Sequence, residues 1–362
     1  MLKKFVEPLF ETIDAEAEHT AIRDVLAAVE QSVNPEELLS KLRGGERVTD
    51  ARLKTSIAGV PLENPLIVGP GWDKVGRSVH ALTALGFAGV EVGSIMKSPQ
   101  SGNPRPRHFW LAPGVAINRY GFNTPGMEVV AEHLSAYKDT AHVIGINIGK
   151  NKTTSDADAP AEFAAVATRF ASRGNYFVIN VSSPNTPGLR ALQDKGPLLQ
   201  IITSVKAALA AGNSKAPLFV KIAPDMTFEA IADVISVVHE SGIAGIIAAN
   251  TTVSADLKAK YGEQWRNEAG GLSGDVPGFR AHVTEIIRFI RKEAGKSVTI
   301  IGAGGVKDAT TVLEKIHAGA SAVELVASID EYGPSIARDT LLDIKAFLES
   351  NNTTIEQIVA AA

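Results

Sequence analysis

The chain predicts a closed (β/α)8 barrel preceded by a small helical cap, and three observations carry that reading. Eight short apolar runs lie between residues 65 and 327, helical periodicity follows most of them, and polar residues gather where the runs end. Continuously apolar strands alternating with helices describe a parallel sheet covered by helices, and eight such units suffice to close it. The competing arrangement, an open doubly wound sheet, would place a G-x-G-x-x-G turn after its first strand, and none is present.

The cap comes first. Ile22, Val25, Leu26, Val29 and Val33 recur at helical spacing, and Asn34-Pro35-Glu36-Glu37-Leu38 restarts the chain as N-cap, first-turn proline, capping-box glutamate and a leucine stapled to Val33. Gly44-Gly45 and the polar stretch to Asp50 read as a linker, which divides the chain into a cap over residues 1–48 and a barrel domain over 49–362. The strands follow at 65–69, 88–93, 142–148, 176–181, 218–223, 243–249, 298–302 and 321–327. Helices are expected at 75–85, 160–171, 198–211, 228–241, 278–293 and 309–318, each with apolar residues at helical intervals.

Composition narrows the function. With 362 residues, 45% of them hydrophobic, the chain can bury one large core. No run approaches the ~20 apolar residues of a spanning helix and no signal-peptide pattern opens the chain, so a cytoplasmic or peripheral protein is expected. The absence of cysteine excludes disulfides, a thiolate base and cysteine-ligated metal, and eight histidines without a close pair give no metal signature. A net charge of −4 with scattered basic residues gives no footprint for nucleic acid.

The strand ends carry the chemistry. They read Gly69-Pro70-Gly71-Trp72-Asp73-Lys74, Gly93-Ser94, Asn147-Ile148-Gly149-Lys150, Asn180 with Ser183, Lys221, Asn250-Thr251-Thr252 and Gly302-Ala303-Gly304-Gly305. In a TIM-type barrel this is the face that holds active sites. After Asn180 the chain runs N-V-S-S-P-N-T-P-G-L-R, where Pro184, Pro187 and Gly188 force a shaped loop. Ser182, Ser183 and Asn185 could equally be turn residues bonding their own backbone. Gly270-Gly271-Leu272-Ser273-Gly274 and Gly304-Gly305 leave room for backbone N–H groups to close on a phosphate. Asn118, Asn147, Asn180, Asn185 and Asn250 offer donors and acceptors that suit an amide or imide ring. Lys221 is either a fixed positive charge beside a flavin that gains negative charge or half of a structural ion pair.

With these residues in place, N-V-S-S-P-N-T-P-G-L-R, I-N-I-G-K-N-K, I-N-R-Y-G-F-N, V-K-I-A-P-D, A-N-T-T and G-G-L-S-G resemble, in sequence and spacing, dihydroorotate dehydrogenase of class 2 over about residues 55–345. Class 1 members resemble the chain less, because they lack the N-terminal extension and use a cysteine base. The resemblance implies oxidation of dihydroorotate to orotate in pyrimidine biosynthesis, with flavin mononucleotide (FMN) as cofactor and a membrane quinone as acceptor. It implies that Ser183 removes the C5 proton, and that Thr186 and Phe122 line the proton exit. It assigns pyrimidine and carboxylate contacts to Lys74, Asn118, Arg119, Tyr120, Gly121, Phe122, Asn180, Asn185, Asn250 and Thr251. Flavin contacts fall on Pro70, Gly71, Lys74, Ser94, Asn147, Asn180, Lys221, Ala249, Ser273, Gly274, Gly305, Val326 and Ala327.

Several positions depart from the family pattern. Ala249 stands where a threonine is usual, Val326-Ala327 replace a tyrosine and a serine beside the flavin phosphate, and Trp110 replaces an arginine of the quinone tunnel, whereas His19 matches a cap histidine. The substrate half of the site is nearly intact and the acceptor half is altered. A different soluble or protein acceptor is therefore a second expectation, and a flavin- or phosphate-binding barrel without turnover a third. Residues 1–50 hold six Lys or Arg and eleven Asp or Glu, a charge of 6 − 11 = −5. Peripheral membrane contact would then come from Leu2, Phe5, Val6, Leu9, Phe10 and Ile13 rather than from charge.

Overall fold

The computed structural model describes residues 15–362, and the apolar stretch Leu2 to Ile13 lies outside them. Helix α1 (Ala15–Glu30) and α2 (Pro35–Arg43) form the cap. The turn between them differs from its sequence signature. Asn34 makes no side-chain cap hydrogen bond, Glu37 pairs with Lys41 at 2.6 Å instead, and Val33 is 97% exposed, so neither capping box nor staple forms. Proline at the first helical position and the left-handed Gly44 at the other end suffice to bound α2.

A hairpin, β1 (Thr55–Ile57) and β2 (Val60–Leu62), leads into the barrel. Then come β3 (Leu66–Val68), α3 (Val79–Ala84) and β4 (Gly89–Ile95). Helix α3 starts four residues later than its periodicity suggests. The Asp73 carboxylate accepts the N–H groups of Val75 (3.2 Å), Gly76 (2.8 Å) and Ser78 (2.8 Å), which holds that stretch as a loop. Strands β5 (His108–Ala112) and β6 (Val115–Asn118) precede α4 (Met127–Leu134), β7 (Val143–Ile148), α5 (Ala159–Phe170) and β8 (Tyr176–Asn180). The second half runs α6 (Lys195–Ala211), β9 (Leu218–Ile222), α7 (Phe228–Ser241), β10 (Gly245–Ala248), α8 (Ala255–Ala259) and β11 (Gly271–Gly274). It ends with α9 (Pro277–Ala294), β12 (Thr299–Ala303), α10 (Ala309–His317), β13 (Ala322–Leu325), α11 (Ala327–Tyr332), α12 (Ile336–Ser350) and α13 (Ile355–Ala361).

Strands β3, β4, β7, β8, β9, β10, β12 and β13 pair in parallel in that order, and β13 closes onto β3. The fold is thus the closed (β/α)8 barrel expected, and every barrel strand overlaps its expected span. Alternation divides the strand residues between two cores. Outward residues such as Phe177, Ile179, Val220 and Ile246 pack with the helices. Inward residues Ile67, Tyr176, Val178, Phe219, Ile247 and Ile301 fill the barrel, and Ile57 and Leu62 of the hairpin join them as a plug. Gly145 makes this possible, since a Cβ there would lie 2.2 Å from the Tyr176 ring. Above this apolar fill the inward positions turn polar, with Glu91, Asn147, Asn180, Lys221 and Glu324 all buried.

Strands β5, β6 and β11 form a separate antiparallel sheet. A bridge between Thr252 and Leu272 ties it to the carboxyl end of the barrel. The cap packs along helix α3 on the flank of the barrel. Leu26 and Leu39 belong to the core shared with the helices, and Arg43 donates to the Ala84 carbonyl. Glu30 accepts from the Ala81 N–H (3.0 Å) and the Tyr137 hydroxyl (2.6 Å).

Candidate active site

At the carboxyl ends of the strands a cavity opens, with about 1260 Å³ between its walls when the mouth is counted. Its floor and walls carry Pro70, Gly71, Lys74, Ser94, Asn180, Ser183, Lys221, Ala249, Asn250 and Thr251 from the barrel. Asn118, Tyr120, Gly121, Phe122, Ser273 and Gly274 reach it from the antiparallel sheet, and Gly305, Val326 and Ala327 from the last two strands. Asn185 completes it from the loop after β8. Three of the residues assigned by resemblance stand back. Asn147 lies beneath the lining, Thr186 is buried behind it, and Arg119 bonds Glu268 and the Pro106 carbonyl (2.9 Å) while stacking 4.8 Å from Phe109. Arg119, just past the end of β6, thus braces the edge of the sheet, while Asn118 and Tyr120 face the cavity.

A continuous polar network supports the floor. Asn147 Nδ2 donates to Glu91 at 2.7 Å, Ser94 Oγ donates to Asn147, and Asn180 Nδ2 donates to Ser94 (2.8 Å) and Asn147 (3.1 Å). Asn180 Oδ1 in turn accepts from Ser182 Oγ at 3.0 Å, which accepts from Asn250 Nδ2 at 3.0 Å. Such a chain fixes the rotamer of each carboxamide before any ligand arrives. Across the cavity Asn185 Nδ2 donates to Asn118 at 3.4 Å, and Asn103 joins the two loops by donating to the carbonyls of Arg119 (2.9 Å) and Asn185 (3.2 Å).

Ser183 is buried, and its Oγ accepts from the Asn185 N–H at 3.3 Å. Three residues later the Thr186 hydroxyl is buried with no partner among the described residues. Lys74 places its ammonium 3.6 Å from the centre of the Tyr120 ring, and that hydroxyl meets His108 Nδ1 at 2.9 Å. Burial of the ammonium, only partly offset by Glu16, lowers the Lys74 pKa to about 7. Lys221 donates to Glu324, so it is half of an ion pair, and both members line the cavity.

The far end of the cavity fits a phosphate. Gly304 and Gly305 hold φ of +110° and +72°, a conformation that exposes backbone N–H groups and disfavours larger residues. A Cβ at Gly274 would lie 1.8 Å from the Gly114 carbonyl. The Ser328 hydroxyl is buried in this lining and has no partner among the described residues. It stands directly after Val326-Ala327, the pair that departs from the pattern of the resemblance, and could offer a hydroxyl from the next position. Nothing in the sequence singled out Ser328, nor Asn123, whose Oδ1 is buried in the lining without a partner among the described residues. Glu91 and Glu324 were not singled out either, although a carboxylate inside an apolar run (V-E-V, V-E-L) was a readable signal.

On the cap side, His19 Nδ1 lies 3.0 Å from Asp330 Oδ2 and Nε2 lies 3.0 Å from the Trp72 carbonyl, while Trp72 Nε1 donates to Asp330 at 2.9 Å. Trp110 lies in the antiparallel sheet with its ring 5.1 Å from His108. Buried Glu16 accepts from Arg107 at 2.7 and 2.8 Å. Burial opposes its charge, but Arg107 and Arg105 prevail and hold the carboxyl below its usual range. Among the described residues no group of side chains could hold a metal ion, and no helix is long and apolar enough to cross a membrane.

Comparison with known proteins agrees with this geometry. Residues 52–348 match the family model described as dihydroorotate dehydrogenase. A dihydroorotate dehydrogenase (quinone) of Natronomonas pharaonis is 41% identical over 349 residues, covering 96% of this chain and 95% of the relative. One of Rhizobium johnstonii is 42% identical over 307 residues, with 83% and 82% covered. The crystal structure of the Eimeria tenella enzyme in complex with ferulenol superposes with a TM-score of 0.83 at 32% identity, covering 96% of this chain and 95% of that one.

Proposed function

The chain belongs to the dihydroorotate dehydrogenase family, oxidoreductases acting on a CH–CH donor, and from that premise we propose that it oxidises (S)-dihydroorotate to orotate for pyrimidine biosynthesis with FMN as cofactor and a quinone as acceptor. The observation that carries the proposal is the convergence of Ser183, Lys74 and four carboxamides on one cavity that ends in a glycine-lined, hydroxyl-bearing recess. Bound there, FMN supplies the two-electron acceptor for the hydrogen that leaves C6 of the substrate. The phosphate would meet Gly305, Ala327 and Ser328, and the ring system would meet Gly71, Ser94, Asn180 and Lys221.

The remaining chemistry belongs to the protein. Asn118, Asn180, Asn185 and Asn250 hold the pyrimidine ring by its amide edges, and Lys74 meets the substrate carboxylate. Ser183 removes the C5 proton. A hydroxyl is a poor base in water, so it must pass its own proton on as it accepts another, and the exit is assigned to the Thr186 hydroxyl, which has no partner among the described residues, and to Phe122 of the cavity lining. Desolvation and fixed geometry favour this transfer, since Ser183 is only 5% exposed.

The acceptor side is proposed to lie between the cap and the barrel, with residues 1–48 as its entrance and residues 49–362 as the catalytic domain. Peripheral contact with the inner face of the cell membrane would run through Leu2, Phe5, Val6, Leu9, Phe10 and Ile13. A second reading, a soluble or protein acceptor, is favoured by Trp110 in the antiparallel sheet and by His19, whose ring nitrogens are both engaged. Steady-state orotate formation measured with a long-chain quinone, fumarate and other soluble oxidants in parallel decides between them. Fastest turnover with quinone is expected. Turnover with fumarate alone would replace the acceptor, and none with any oxidant in flavin-loaded protein would refute the activity.

A further inference from the structure

Beneath the floor of the cavity the barrel holds more acid than base. Glu91 and Glu324 are 0% and 3% exposed, and a single cation, Lys221, donates to Glu324 Oε2. Asn147 satisfies Glu91 Oε1 at 2.7 Å. The other carboxylate oxygens, Glu91 Oε2 and Glu324 Oε1, are buried and accept no hydrogen bond from the described residues, and the Tyr176 hydroxyl from the layer below is likewise unbonded among them. Two carboxylates against one ammonium leave an uncompensated negative charge in a low-dielectric interior, which is costly. One proton bound by the pair removes that charge and turns an orphaned acceptor into a donor. Glu324 also lines the cavity, so the pair responds to charge placed there.

We propose that Glu91 and Glu324 form a redox-linked proton store, which takes up one proton from solvent as the bound flavin gains two electrons and releases it when those electrons pass to the acceptor. This rests on the flavin reading above. The pair is neither oxidised nor reduced: a carboxylate plus a proton becomes a carboxylic acid, the electrons come from the substrate, and reoxidation restores the carboxylate. The sign follows from like-charge repulsion, because negative charge gained in the cavity disfavours an ionised carboxylate beside it.

The groups facing the pair set the pH window. Burial first, then the charge of Glu324, push Glu91 up to about 8, against the opposing pull of Lys221 and the Asn147 hydrogen bond. Tyr176, the remaining titratable neighbour, is pushed up by burial and by the two glutamates, so it stays neutral. Below about pH 8 Glu91 therefore holds its proton in both redox states. Above that pH the oxidised protein loses the proton and the reduced protein keeps it. Uptake on reduction is thus confined to the alkaline side.

A spectroelectrochemical titration of the yellow holoenzyme from pH 6.5 to 9.5 tests this. One extra proton per two electrons steepens the fall of the midpoint potential by about 30 mV per pH unit, and that steepening is expected to begin near pH 8. Glu91→Gln should abolish it. Glu324→Gln removes the charge that raises Glu91, so the break should move to lower pH. Reduced-minus-oxidised infrared spectra at pH 9 should show a carboxylic-acid C=O band that Glu91→Gln lacks. A slope unchanged across pH 8 in the parent, or a steepening that survives in Glu91→Gln, overturns the proposal. Protein that shows no flavin absorption and binds none refutes the cofactor reading instead, and the proton store with it, before any titration begins.

Discussion

Lys74 offers the sharpest pH-dependent test of the substrate side. Its ammonium is enclosed by protein, rests over the Tyr120 ring at 3.6 Å, and has a pKa lowered to about 7, chiefly by burial. If Lys74 holds the carboxylate of orotate as proposed, that anion binds the ammonium and not the amine. Apparent affinity therefore holds below pH 7 and falls as pH rises above it, toward tenfold per unit. Between pH 6 and 8.5 a group of pKa 7 drops from about 90% to about 3% protonated, so the orotate Kd should rise about 30-fold, or about 2 kcal/mol. Titration of flavin-loaded protein with orotate, followed by calorimetry at each pH, reads this directly. Lys74→Arg, which stays charged throughout, should show a flat profile. Lys74→Met should be flat and weak. A parent profile that varies less than threefold over this range would refute the assignment of Lys74 to the carboxylate.

Three further outcomes follow from the same geometry. Ser183→Ala should keep its flavin yet slow anaerobic flavin reduction by dihydroorotate about 100- to 10,000-fold, measured by stopped-flow absorbance; an unchanged rate would remove Ser183 from the reaction. Ser328→Ala deletes the hydroxyl placed for the phosphate, a hydrogen bond to a charged group worth about 1.5–3 kcal/mol, so FMN should dissociate roughly 10- to 150-fold more readily in fluorescence titrations; equal affinity would move the phosphate elsewhere. Glu16→Ala leaves Arg107 buried without its carboxylate, which costs about 3–5 kcal/mol and should lower the melting temperature by about 4–7 °C; a shift under 1 °C would show that this pair does not fasten the cap.

The barrel strands were legible because both of their faces are buried. Phe177 and Ile179 look outward to helices and Tyr176 and Val178 inward, so each strand reads as an uninterrupted apolar run. The antiparallel sheet left no such trace. Strand β5 is half-buried along its whole length, and β11 is only Gly-Leu-Ser-Gly, so neither shows alternation. The hairpin that plugs the barrel has three residues per strand, too few for a pattern. The turn before α2 misled, because an N-cap residue type does not ensure an N-cap hydrogen bond: helix position is set by the packing of Leu39, and Val33 is left in solvent.

At the site, strand ends showed which residues could meet, since a parallel barrel brings every carboxyl end to one face. Side-chain direction was not readable in the same way. Arg119 sits between two lining residues and yet turns outward to Glu268, and Thr186 lies behind the wall. Lys221 kept two meanings until its partner was known. Glu324 is 103 positions away in sequence, and only barrel closure brings them together.

The most direct measurement of the account mixes flavin-loaded protein with dihydroorotate in the absence of oxygen and follows the flavin absorbance. The yellow colour is expected to bleach, with orotate formed in equal amount, and to return when a quinone is added. A spectrum that stays oxidised in the presence of saturating dihydroorotate would contradict the central claim that this cavity oxidises that substrate.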